Sequence, residues 1–120
     1  MTKITEPGQV RSSAALLLGE LAAGNSFLSV KEYETNFLST IKISCQDYSW
    51  EVRKQMSDQL LSISQYIGAQ QSFEHFLPEV IELFDDEEKE VTLSAVGTFA
   101  DLVIDVYSQD SSLIKHSKLI

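Results

Sequence analysis

Two aspartates and two arginines stand at matching places in this chain, and their spacing suits paired charges better than a catalytic centre. Asp47 and Asp86 are 39 residues apart, and Arg11 and Arg53 are 42 apart. If the chain stacks with that period, Arg11 reaches Asp47 and Arg53 reaches Asp86, a ladder of ion pairs between neighbouring units. Exposed pairs of this kind contribute about 0 to 1 kcal/mol each, so they would set register more than stability. Trp50 stands beside the first rung, at the start of an expected helix. It either offers a contact to a partner, as Trp often does at binding hot spots, or staples the turn to the next unit.

The remaining reactive side chains do not assemble into known chemistry. Asp85, Asp86, Glu87, Glu88 and Glu90 are dense enough to suggest calcium, yet the alternating ligand spacing and glycine of an EF-hand loop are missing. Acidic residues ahead of a helix are explained by its positive N-terminal end. His75 and His116 are 41 residues apart, with no Cys or acidic residue at ligand spacing around either. Cys45 has no partner for a disulfide and is expected in the core, as a small apolar side chain. There is no Gly-x-Ser-x-Gly, no His-Glu-x-x-His and no glycine-rich phosphate loop, so the serines at 12, 13, 57, 62 and 64 are at most modification sites. The residues point away from an enzyme, a cofactor, a metal or a small-molecule substrate.

The elements that would position these residues repeat with them. Val10, Val52 and Val91 each open an apolar helical stripe, separated by 42 and 39 residues. The positions four, eight and eleven beyond each Val are Ala14, Leu18 and Leu21, then Met56, Leu60 and Ile63, then Ala95, Phe99 and Leu102. That period is the one expected of stacked helix pairs of HEAT or armadillo type. The fold expected is therefore an all-α, HEAT-type α-solenoid of about two and a half helix-pair repeats, and a fragment of a longer array.

Residues 10–23 read as the second helix of a partial repeat, 29–67 and 73–107 as two repeats, and 113–120 as the start of another. Ser29 and Glu32 form a capping box, Ser49 suits the cap of the next helix, and Gly68 suits its end. Pro78 lies within an expected first helix and should make it start late or bend. With few repeats and no capping helix, apolar faces around Leu16, Leu17 and Leu21, and around Val103 and Val106, should be left partly open. A five-helix bundle is the alternative, and the matched register argues against it.

Bulk composition narrows the partners. Of 120 residues 43% are apolar, enough for a folded core, and 18 acidic against 9 basic side chains give a formal charge of −9. That charge repels nucleic acid and anionic membrane. No run approaches the eighteen or so uninterrupted apolar residues of a membrane span, and the first residues lack a signal-peptide core. A soluble intracellular protein, cytoplasmic and in part nuclear, is the expectation.

The stretch from Phe37 to Val103 resembles HEAT repeats of the regulatory and scaffold subunits of type 2A-family serine/threonine phosphatases. The residues that carry this are Asp47-Tyr48-Ser49-Trp50-Glu51-Val52-Arg53, Phe76-Leu77-Pro78 and Asp86-Glu87-Glu88-Lys89-Glu90-Val91. Within the family the pattern is nearest to the regulatory-subunit-1 branch of phosphatase 4 and the scaffold A branch of phosphatase 2A. Thr92 departs from it, standing where the family often has Arg. The resemblance implies a non-catalytic scaffold whose ridge of turns holds a catalytic subunit. Carried over by position, that ridge comprises Asp47, Trp50, Glu51, Arg53, Asp86, Lys89 and Glu90. The same repeats would equally serve an adaptor in vesicle traffic, nuclear transport or cytoskeletal assembly.

Overall fold

The computed structural model describes residues 7–24 and 28–115. Those residues are helical throughout, joined by short turns. The elements are α1 (Gly8–Ala23), α2 (Val30–Ser44), α3 (Trp50–Ile67), the single turn α4 (Ala69–Gln71), a π-helical turn (Ser72–Phe76), α5 (Leu77–Leu83), α6 (Lys89–Gln109) and the short α7 (Ser111–Lys115). Helices α1, α3 and α6 lie side by side as one layer, and α2 and α5 pack beside α3 and α6 as a second. This layering is compatible with an α-solenoid. His116 and the rest of the expected helix over 113–120 beyond Lys115 lie outside the described residues.

Local sequence chemistry explains most of the boundaries. At the start of α2 the Ser29 hydroxyl accepts the Glu32 N–H at 3.2 Å, while the Glu32 carboxylate accepts the Ser29 N–H at 2.9 Å, so two otherwise unpaired donors are satisfied together. The Ser29 backbone and side chain hold the Glu32 carboxyl below its usual range. Gly68 ends α3 with φ of 97°, a backbone state that costs glycine nothing and an L side chain a good deal. Ser49, by contrast, makes no side-chain cap. Its backbone N–H instead donates to Asp47 Oδ1 at 2.9 Å, so the Asp side chain organises the turn and leaves the serine hydroxyl free of that role.

Pro78 leaves a visible mark. It has no N–H to give, and it sits at the first turn of α5, where that donor is not needed. The preceding segment accommodates it by widening into a π-turn, in which the Leu77 N–H reaches five residues back to the Ser72 carbonyl.

The core runs between the two layers. Val52, Met56, Leu60 and Ile63 of α3 are fully buried, as are Val91, Ala95 and Leu102 of α6, with Phe76, Leu77 and Val80 filling in from the π-turn and α5. Tyr33 joins α2 to α1 by donating to the Leu18 carbonyl at 2.6 Å, and its ring meets Tyr66 edge to face at 5.5 Å. The stripe of α1 departs from the pattern of the other two. Val10 is 50% exposed, and the buried residues of the helix are Arg11, Ala15, Leu18, Gly19 and Ala22. Val52 and Val91 each have a helix of the second layer alongside, α2 or α5; α2 meets α1 only farther along, at Leu18, and among the described residues no second-layer helix covers Val10.

Of the apolar faces expected to stay open, Leu16 and Leu17 are exposed and Leu21 and Val103 are half-buried. Val106 is fully buried, because α7 packs on the end of α6 and brings Ile114 into the same core. Helix α6 is long and apolar enough, by length and composition, to cross a membrane, with a mean hydropathy of 1.3 over its best window. Here its Val91, Ala95, Leu102 and Val106 serve as core.

Candidate functional site

The N-terminal ends of α1, α3 and α6 line one edge of the molecule, together with the turns that precede α3 and α6. Two ion pairs of one geometry organise this edge. Arg11 Nε donates to Asp47 Oδ2 at 2.7 Å and Nη2 to Oδ1 at 3.0 Å. Arg53 Nε donates to Asp86 Oδ2 at 2.6 Å and Nη2 to Oδ1 at 3.0 Å. Each carboxylate also accepts the backbone N–H two residues on, from Ser49 or Glu88. One aspartate thus folds its own turn and clamps the helix of the preceding unit, through a two-bonded fork that only Arg can supply.

These rungs are buried, where the sequence suggested exposed pairs. The Arg11 side chain is 0% exposed and that of Asp47 2%, with Arg53 and Asp86 at 17% and 7%. Helices α1 and α3 also approach closely beyond the first rung, where a Cβ built at Gly19 would lie 2.8 Å from the Cβ of Gln59. The Tyr48 ring covers Arg11 from outside, 4.8 Å from the guanidinium carbon. The hydrogen bonds to Asp47 raise the Arg11 pKa well above its ordinary value, against the opposing effect of burial. Burial alone would push the Asp86 carboxyl up; the Arg53 fork and the Glu88 N–H outweigh it, and the group lies below the usual carboxylate range.

The ladder is also threaded along its length. Arg53 Nη1 donates to the Asp47 carbonyl at 2.7 Å, so one guanidinium ties both turns together. Thr92 takes over that part of the role in α6, its hydroxyl donating to the Asp86 carbonyl at 3.2 Å. It keeps the backbone bond and gives up the outward fork.

Around this framework the edge is open. A cleft of about 620 Å³ runs between the starts of α1 and α3, lined by Gln9, Val10, Ser12, Ser13 and Glu51. A smaller hollow of about 190 Å³ adjoins it, where Trp50, Lys54 and Asp58 meet Ser12 and Glu51. Trp50 is half-buried and packs against the core, so it staples the turn and still borders the hollow. Glu51, Lys89 and Glu90 are exposed.

The ridge residues therefore divide into two groups. Asp47, Arg53 and Asp86 are committed to the ladder, while Trp50, Glu51, Lys89 and Glu90 face outward. The cleft residues Gln9, Ser12 and Ser13 were not evident from sequence; they are small polar residues at the start of a helix whose neighbour is distant along the chain. Among the described residues no group of three or more His, Cys, Asp or Glu side chains is placed to hold a metal. Cys45 is buried, and burial pushes its thiol far up, away from the thiolate that chemistry requires.

The described residues thus form an all-helical arrangement with a charged edge held by two ion pairs and an open cleft beside it. The chain is similar to the human serine/threonine-protein phosphatase 4 regulatory subunit 4, with 34% identity over 108 residues, and to its mouse counterpart, with 33%. The match covers 90% of this chain, which spans only 12% of the length of either relative. No family model and no solved structure matches the chain.

Proposed function

We propose that this chain is a HEAT-type segment of a phosphatase regulatory subunit, without chemistry of its own, that holds a type 2A-family catalytic subunit through its turn ridge. The observation that carries the proposal is the similarity of 90% of the chain to phosphatase 4 regulatory subunit 4. The repeat boundaries are 29–67 and 73–107, with 10–23 and 113–120 belonging to flanking repeats. The contact surface is formed by Trp50, Glu51, Lys89 and Glu90, and Asp47, Arg53 and Asp86 fix the ridge behind it. Such a subunit works in the cytoplasm and nucleus by positioning the catalytic subunit against its substrates.

A rigid ridge suits this task. Residues already held in their bound arrangement lose little freedom on association, so more of the contact energy is retained as affinity. The test is a pull-down of purified catalytic subunits of phosphatases 2A and 4 by the chain, beside a Trp50→Ala variant of unchanged helicity. Retention of either enzyme, weakened about tenfold or more by the variant, supports the proposal. A well-folded chain that retains neither moves the reading to an adaptor for another assembly.

A further inference from the structure

Helix α6 carries an apolar stripe that nothing among the described residues covers. Leu93, Val96, Ile104 and Tyr107 are 63%, 56%, 68% and 45% exposed, and Gly97 and Ala100 lie between them on the same face. The stripe runs nearly the length of the helix, opposite the buried row of Val91, Ala95, Leu102 and Val106.

A further helix stacked as α6 stacks on α3 would cover Val96, whose counterpart Ser57 is buried against α6, and would leave Leu93 and Ile104 open. Counting back one unit of 39 residues, Leu93, Gly97 and Ile104 correspond to Lys54, Asp58 and Gln65 of α3. With α6 in place beside them, the Lys54 side chain is still 41% exposed, and Asp58 and Gln65 are exposed. These positions point away from the stacking direction. In α3 they are polar, as a solvated surface should be, and in α6 they have turned apolar. A surface that stacking leaves open and that is nonetheless apolar marks a docking site.

The border of the stripe indicates the partner. On the α3 side Glu90 and Asp101 are exposed, with Asp105 and Asp58 beyond them, the latter two bonded to Ser64 and Ser94 across the helix pair. Lys89 and Lys115 stand only at the two ends, Lys115 within 5.9 Å of the Tyr107 ring centre. We infer that the exposed face of α6 docks an amphipathic helix of a partner protein, its apolar side on Leu93, Gly97 and Ile104 and its basic residues along the Glu90–Asp101 edge. This is the helix-on-helix mode of peptide recognition, with charge setting the orientation. It meets the turn ridge at Glu90, but its apolar residues lie outside the ridge, so it does not depend on what the ridge binds.

The experiment titrates a fluorescent eighteen-residue Leu/Lys peptide of helical periodicity into the chain and follows anisotropy. A scrambled peptide and a Leu/Glu peptide serve as controls, with zwitterionic and anionic lipid vesicles in parallel. Saturable binding of the Leu/Lys helix is expected, weakened about tenfold by Leu93→Gln with Ile104→Gln and several-fold by Asp101→Lys, and unaffected by Glu87→Ala. All four substitutions lie on exposed side chains, and the charge reversal reads the edge independently of the apolar pair. Equal binding of the scrambled or Leu/Glu peptide, or affinity unchanged in both the double variant and Asp101→Lys, would overturn the assignment. So would preferential capture of vesicles, or self-association of the chain that the double variant abolishes.

Discussion

At the scale of single residues, the ion-pair ladder ties one carboxylate to two tasks, and its consequence is a dependence on pH. Asp86 has a folded pKa below its unfolded value of about 3.9. Its ionised form therefore contributes stability that is present above about pH 4 and lost as pH falls through the folded value. Asp86→Asn should be less stable than the parent at pH 7 by about 1 to 3 kcal/mol, since Arg53 then keeps a part-buried charge without its counterion. That difference should close toward pH 2. Urea midpoints of both proteins at the two pH values check this, and a gap that persists at low pH would show the aspartate acting through shape alone. Cys45 gives a simpler test: its buried, neutral thiol should react with a disulfide reagent at pH 8 only after unfolding. Rapid labelling of the native chain would mean that α2 opens readily. The partners in the ladder were legible in the sequence, from the matched spacing of Arg11, Arg53, Asp47 and Asp86. Their burial was not, because it depends on how closely neighbouring helices pack, which the spacing of charges along the chain does not report.

At the scale of elements, periodicity located the helices and missed what neighbours do to them. The stripes of α3 and α6 are buried as their spacing implies, whereas the α1 stripe is rotated, since no second-layer helix covers Val10 among the described residues. Pro78 signalled a disturbed first helix, and the form of the disturbance, a π-turn over Ser72–Phe76 with Phe76 and Leu77 buried, was not legible from the proline alone. Two substitutions probe the packing. Leu60→Ala should cost about 2 to 5 kcal/mol, against under about 0.5 kcal/mol for the exposed Glu87→Ala, so equal urea midpoints would contradict the core assignment. Gly19→Ala ought to gain up to about 1 kcal/mol from helix propensity. Here it should lower the midpoint instead, because the new Cβ meets Gln59 and the Cβ of that residue cannot swing aside. A raised midpoint would mean that α1 and α3 separate at little cost.

At the scale of the molecule, the helices form a frame on which two surfaces are displayed: the charged ridge with its cleft, and the apolar face of α6. The ridge follows from resemblance and repeat register together. The α6 face was harder to see, because a helix apolar on both sides hides its second stripe behind the first; comparison with the polar counterparts in α3 separates them. The relatives that support the functional reading are far longer than this chain, which spans 12% of their length. The most direct test is hydrogen exchange of the chain with and without the catalytic subunit of phosphatase 4. Slowed exchange should concentrate at the turns and first helical residues around 47–53 and 86–92. Protection confined to other helices, or none at a concentration of catalytic subunit that saturates the pull-down, would contradict the assignment of the ridge.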